Sequence, residues 1–224
     1  AGTLYLCGTP IGNLEDMTFR AVRVLKEVDL IAAEDTRNSR KLLNYFDIHT
    51  PMVSYHEYNK TVRGRELVEK LKAGMNIALI TDAGMPGISD PGEELSAMAW
   101  EAGIPVTAVP GPAACVTALV LSGLPSRRFC FEAFLPQEKK ERREILEELK
   151  KESRTIILYE APHRLLRTLE ELRICLGGDR RISVCRELTK KHETVRQGTI
   201  EEICAYYQQE APRGECVLVI RGRS

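Results

Sequence analysis

Four short stretches of this sequence combine side chains that accept, hold or deliver a proton. They are Glu34 and Asp35 in "AEDTR", His56 and Glu57 in "SYHEYN", Glu160 and His163 in "YEAPHR", and Glu187 with Lys190 in "RELTKK". Carboxylates beside imidazole, guanidinium or ammonium groups are the residue types of general acid–base chemistry. Each also has a plainer account. Glu34 and Asp35 stand where they could cap a helix starting at Thr36. His56 has no second histidine at metal-ligand spacing, and taken alone it reads as a hydrogen-bonded strand-end histidine. Lys190 and Lys191 read as solvated surface.

A second kind of site-forming residue is gathered in three turns, "CGTPIGNLED", "TDAGMPGISDPGEEL" and "VPGPAACVTAL", each following an apolar run. Glycine permits close backbone approach or positive φ, and proline fixes φ and removes a donor. The product is a rigid cradle poor in side chains. One such turn is ordinary turn chemistry; three at strand ends on one side of a sheet point to a ligand. None is a P-loop, and "GTPIGN" is not a dinucleotide fingerprint.

The elements that must position these groups alternate along the chain. Strand-like runs "TLYLC", "DLIAAE", "MVSYHE", "NIALITD" and "VTAVP" are separated by helical stretches. Helix periodicity is clear at Leu95, Met98, Ala99 and Ala102, before Gly103 ends the helix. After the linker-like Gly-Leu-Pro-Ser at 123–126, a second series begins: "FCFEAFLP", a charged helix, "TIILYEAP", a helix, "ISVCREL", "HETVRQGTI", a helix and "ECVLVIRG". The reading is two α/β domains, 1–124 and 125–224.

Composition narrows the partners. The formal net charge is zero, which argues against a strongly basic nucleic-acid binder. The first 126 residues carry 11 Lys/Arg against 15 Asp/Glu and the remainder 21 against 17, weak support for an anionic partner of the second half. Solvated helix faces such as "QEKKERREILEELKKESR" supply much of that excess. The seven cysteines are scattered, with no C-x-x-C pair. They read as small core residues in a reducing cytoplasm, and no metal site is expected. No apolar run approaches membrane-spanning length, and no basic, apolar leader opens the chain.

Taken together, "GTPIGNLED", "AAEDTRNSRKLL", "SYHEYN", "TDAGMPGISDPG", "VPGPAA", "YEAPHR" and "RELTKKHE" resemble the S-adenosylmethionine-dependent tetrapyrrole methylase superfamily. Within it, they resemble the branch that 2'-O-methylates a cytidine ribose in small-subunit (16S) ribosomal RNA. The resemblance implies a cytoplasmic homodimeric enzyme of two α/β domains, with the cofactor bent into a cleft between them. It places the methionine and ribose parts of S-adenosylmethionine against Gly84, Met85, Pro86, Gly87 and Ile88, with Ala113 and Ala114 beside them. Tyr159 and Glu160 match the adenosine contact. Pro10 closes the site, and Gly214 with Arg213 approaches from the last strand. In other branches an aspartate stands where this chain has Gly84. Members of the branch commonly continue into a further small C-terminal segment.

Methyl transfer to a ribose hydroxyl needs alignment of the two reactants and a group to draw off the proton. Glu34, Asp35, His56 and Lys190 are the expected catalytic residues, with Glu57, Glu160, His163 and Glu187 as further candidates. A sulfonium donor requires no Lewis acid. Arg20, Arg37, Arg40 and Lys41 are the expected RNA contacts, with Tyr55 and Tyr58 flanking His56 to receive a splayed nucleotide. Solvated helix surface is the plainer account of the arginines. Two rival functions are methylation of a tetrapyrrole ring carbon and non-catalytic binding of nucleotide or RNA.

Overall fold

The computed structural model describes residues 1–224, which form two compact units, Ala1–Ala113 and Ala114–Ser224. The first unit alternates strand and helix. Its elements are β1 (Leu4–Cys7), α1 (Phe19–Glu27), β2 (Leu30–Ala33), α2 (Thr36–Tyr45), β3 (Met52–Ser54), α3 (Lys60–Lys72), β4 (Ile77–Ile80), α4 (Glu93–Glu101) and β5 (Val106–Val109). The strands pair in parallel in the order β3-β2-β4-β1-β5, with Leu4 opposite both Ile77 and Val106. Buried on both faces, β2 and β4 are wholly apolar, "LIAA" and "IALI".

The helices divide between the two faces. In α1, Thr18 accepts the Ala21 amide at 2.9 Å, and Ala21, Val24 and Leu25 fall on one buried stripe. Those residues share a core with Leu43 of α2 and with Ile31, Ala33, Ala78 and Ile80 of the sheet. The opposite face packs Leu67, Val68 and Leu71 of α3 and Leu95 and Ala99 of α4 against Leu4, Leu30, Ile77 and Leu79. Each fully buried leucine contributes about 1.5–3 kcal/mol of apolar burial.

The second unit comprises α5 (Ala114–Ser122), β6 (Phe129–Phe134), α6 (Lys139–Lys151), β7 (Thr155–Glu160), α7 (Pro162–Leu176), β8 (Arg181–Arg186), β9 (Thr194–Thr199), α8 (Ile200–Gln209) and β10 (Cys216–Ile220). Its sheet runs β6-β7-β10-β8-β9, with only β6 and β7 parallel. Leucines 146, 149, 165, 169 and 172 and Ile203 of α6, α7 and α8 cover one face. Helix α5 packs on β7, β8, β9 and β10. The boundary therefore lies one helix before the 123–126 turn that composition marks as the linker.

No helix is long and apolar enough to cross a membrane.

Candidate functional site

In the first unit β4 sends its chain to one face of the sheet while its neighbours β1 and β2 send theirs to the other. A crevice opens at the carboxyl ends of such strands, and the residues singled out by type lie there. Gly8 donates to the Val109 carbonyl at 3.0 Å, and the amides of Thr9 and Gly84 each donate to the other's carbonyl at 3.1 Å. The hydroxyl of the buried Thr9 donates to the Thr81 carbonyl at 3.3 Å. The turns after β1 and β4 are thus joined, carrying Pro10 and Met85 with them. The turn after β5 completes the group. A Cβ on Gly84 would lie 3.2 Å from the Pro112 carbonyl oxygen and 3.3 Å from Ile11 Cγ2, at a φ of +77°. Gly87 has φ +84°, followed by the buried-to-exposed step from Pro86 to Ile88. Ala113 ends this unit and Ala114 opens α5.

Beside the cradle is an acidic group that includes a residue the sequence reading passed over. Asp82, first after Thr81 in the β4 turn, accepts the Asp35 amide at 3.2 Å, and its own amide donates to Glu34 Oε2 at 3.4 Å. Burial, then the Asp82 charge, pushes the Glu34 carboxyl above its ordinary range; His56 pulls weakly the other way. Burial and the Asp35 charge do the same to Asp82. Asp35 moves in the opposite direction because the Arg37 amide bonds it, at 2.9 Å, as the N-cap of α2. The capping account therefore describes Asp35, while the Glu34 side chain is left for other work. Only the spatial neighbourhood of β2 and β4 reveals Asp82; its sequence distance from Glu34 hides the pair.

The turn after β3 contributes His56, whose Nδ1 is buried without a hydrogen-bond partner. Burial raises the Tyr55 phenol to about 12. The Asn59 side chain fastens this turn, accepting the His56 amide at 2.8 Å and donating to Ser54 Oγ at 3.1 Å. Glu57 pairs with Lys60 at 2.9 Å. Tyr58 is almost fully exposed, its ring edge toward the imidazole. Arg37, Arg40 and Lys41 project from α2, which carries no acidic residue; Arg20 is exposed on α1. Of these only Arg37 has a nearby carboxylate, Asp35 at 3.6 Å.

The remaining expected residues lie in the second unit, at one edge of its sheet: the register places Cys216 opposite both Glu160 and Arg186. The Tyr159 hydroxyl accepts the Cys115 amide at 3.1 Å, and its ring meets Phe131 and Phe134 edge-on. Glu160 is 3% exposed and accepts from Thr168 Oγ1 at 2.7 Å, the Ala161 amide at 2.8 Å and Arg164 Nε at 3.1 Å. Arg142, inside the charged helix α6, donates to the same Thr168 hydroxyl at 2.8 Å and is itself buried. It is a correction to the reading of that helix as solvated charge. Lys190 Nζ lies 3.4 Å from Glu187 Oε1, which also accepts the Glu215 amide at 3.1 Å. Gly214 lies beside it at a φ of +75°, and a Cβ there would fall 1.9 Å from the same oxygen at the end of the Glu187 side chain. The Arg213 carbonyl accepts from Arg186, and His163 is exposed on α7. No group of three His, Cys, Asp or Glu side chains could hold a metal ion.

A family model described as tetrapyrrole (corrin/porphyrin) methylases matches residues 3–204. The chain belongs to that family. Among curated relatives, the "Ribosomal RNA small subunit methyltransferase I" of Synechocystis is 55% identical over 221 residues, 99% of this chain and 79% of the relative. The protein of the same name from Halalkalibacterium halodurans is 54% identical over 221 residues, 99% and 76%. A uroporphyrin-III-C-methyltransferase from Thermus thermophilus superposes with a TM-score of 0.68 at 22% identity, covering 99% of this chain and 94% of its own. That likeness supports the tetrapyrrole methylase fold alone. The fold expected from sequence, two α/β domains of this family type, is the one observed.

Two features of the cradle bear on the family's cofactor. At Gly84 and Gly87 the backbone is left-handed, and the missing Cβ at Gly84 lets the Pro112 carbonyl and Ile11 close on this turn. The half-buried Met85 and the exposed Ile88 offer apolar surface on the same turn, as a small-molecule site needs.

Proposed function

We propose that this protein transfers a methyl group from S-adenosylmethionine to the ribose 2'-hydroxyl of a cytidine in small-subunit (16S) ribosomal RNA. The observation that carries the reading is the identity of 54–55% over 99% of the chain to proteins named as small-subunit ribosomal RNA methyltransferases. Bound S-adenosylmethionine would supply an electrophilic sulfonium methyl.

This chain's residues would do the rest. The Gly84–Ile88 turn, braced through Thr9 against the β1 turn, holds the cofactor and limits its motion, and orientation of two reactants is worth about 7–11 kcal/mol. Glu34 is the first choice to accept the ribose proton, since burial and Asp82 raise its basicity above that of an ordinary carboxylate. His56, with its unpartnered Nδ1, orients the hydroxyl or relays its proton. Arg37, Arg40 and Lys41 hold phosphates along the α2 face. Lys190, paired with Glu187, is kept as an electrostatic contributor.

The test is transfer of labelled methyl from the cofactor to purified small ribosomal subunits and, in a parallel reaction, to a porphyrinogen, with nuclease digestion of the RNA and identification of the labelled nucleoside. A 2'-O-methylcytidine is the expected product. Label on a base would refute the ribose assignment, label on a porphyrinogen would turn the reading to ring-carbon methylation, and no transfer to either would leave a binding module.

A further inference from the structure

At the end of the second sheet where β7 begins and β10 finishes, the chain forms an open cavity of about 360 Å³ lined by exposed side chains. Its wall carries Arg127, Arg128, Arg154, Arg221 and Arg223 and no lysine, with Ser224 beside them. Three segments distant in sequence are fixed there by main-chain bonds. The Thr155 amide donates to the Arg128 carbonyl at 3.3 Å and the Arg223 amide to the Glu152 carbonyl at 2.7 Å. Gly222 lets the last segment lie directly on Ser153: a Cβ at 222 would fall 2.1 Å from the Ser153 oxygen. The guanidinium groups therefore spring from a rigid base.

Their charge is mostly uncompensated. Arg154 is held by Glu152 through two bonds of 2.8 and 2.9 Å, but Arg127, Arg128, Arg221 and Arg223 form no ion pair. Four like charges around one cavity repel one another, and an anion would relieve that repulsion. The side-chain type narrows the anion, because the planar fork of arginine matches the two oxygens of a phosphate. Strand β7 has six residues, so this cavity stands about 15 Å from the carboxyl end of the strand, where Glu160 lies.

We propose that the arginine cavity binds phosphates of the RNA backbone, anchoring the substrate some nucleotides away from the methylated one. The assignment to RNA rests on the ribosomal RNA reading given above.

The test compares wild type with Arg127→Ala/Arg128→Ala and Arg221→Ala/Arg223→Ala, each checked for an unchanged melting temperature, and with the corresponding lysine pairs, which keep the charge should an alanine pair fail to fold. Binding is measured to protein-free small-subunit ribosomal RNA across a salt series, to inorganic pyrophosphate, and to a poly-glutamate peptide. Each alanine pair is expected to weaken RNA binding about tenfold and to flatten the salt dependence by roughly 1.5 in log–log slope. Pyrophosphate binding should be lost, cofactor affinity should be unchanged, and the lysine pairs should recover most of the slope. Unaltered RNA affinity and slope in folded variants would overturn the proposal, even if pyrophosphate binding were arginine-dependent. Tighter binding of the peptide than of RNA would reassign the cavity to an acidic protein segment. If wild type binds RNA through these arginines but methylates no ribosomal subunit, the cavity assignment stands and the ribosomal methylation reading falls.

Discussion

The amide of Asp82 donates to the Glu34 carboxylate at 3.4 Å across the boundary between β4 and β2. That bond brings the half-buried Glu34 and the more exposed Asp82 together at neighbouring strand ends, and each is pushed toward its protonated form.

If Glu34 removes the ribose proton, it works when ionised. Single-turnover transfer should then rise with pH through a value above the usual carboxylate range. Asp82→Asn deletes the second-largest cause of that elevation and leaves burial, the largest, in place. The rising limb should move to lower pH, while Glu34→Gln should lose about 10²- to 10⁴-fold in rate with cofactor binding intact. A limb that stays in place in Asp82→Asn would send the search for a base to His56.

The same shift has a sign in stability. Because the folded-state pKa of Glu34 lies above its unfolded value, its favourable contribution is complete below the unfolded pKa and is lost as pH rises through the folded one. Glu34→Gln should therefore melt higher than wild type at pH 8, and the gap should narrow toward pH 4. Calorimetry at the two pH values checks this. A variant that melts lower at pH 8 would show that the carboxylate supports the fold.

Gly84→Ala and Gly84→Val should form a graded series. Both force a side chain into a φ of +77°, at a cost of about 1–2 kcal/mol, and the valine adds bulk where a Cβ already lies 3.2 Å from the Pro112 oxygen. Cofactor affinity by titration calorimetry should fall with alanine and disappear with valine. Full affinity in a folded valine variant would remove this turn from the cofactor site.

Arg37→Ala/Arg40→Ala should weaken binding to ribosomal RNA and reduce the log–log salt slope by up to about 0.7–0.9 for each phosphate the variant no longer neutralises. Cofactor affinity is the internal control. Unchanged salt dependence would return both arginines to solvated helix surface.

Much of this architecture could be read from local signals. Apolar runs ending in Gly- and Pro-rich turns marked the strands, and Asp35 caps the helix starting at Thr36, one of the two residues the sequence offered for that place. Three relationships could not be read. Glu34 and Asp82 stand 48 residues apart along the chain and meet because β4 inserts beside β2. Arg142 looks like one more charge in "KKERREILEELKK", yet it is buried because α7 brings Thr168 and Glu171 against it. Helix α5 is apolar enough to belong to either unit, and only packing assigns it to the second.

Gly8 and Gly111 lie back to back, so close that a Cβ on Gly8 would fall 2.7 Å from the Gly111 Cα and one on Gly111 would fall 3.0 Å from the Gly8 Cα. What holds the β1 and β5 turns at their spacing is missing matter. Every single-base change that alters a glycine codon's meaning either adds a side chain or stops translation, so neither position has a neutral neighbour in genetic space. Nor can a change at one be rescued by trimming the other, which has nothing left to remove. In a saturation library selected for folded protein, both positions should tolerate glycine almost alone, a pair of mutational dead ends facing each other across the two turns.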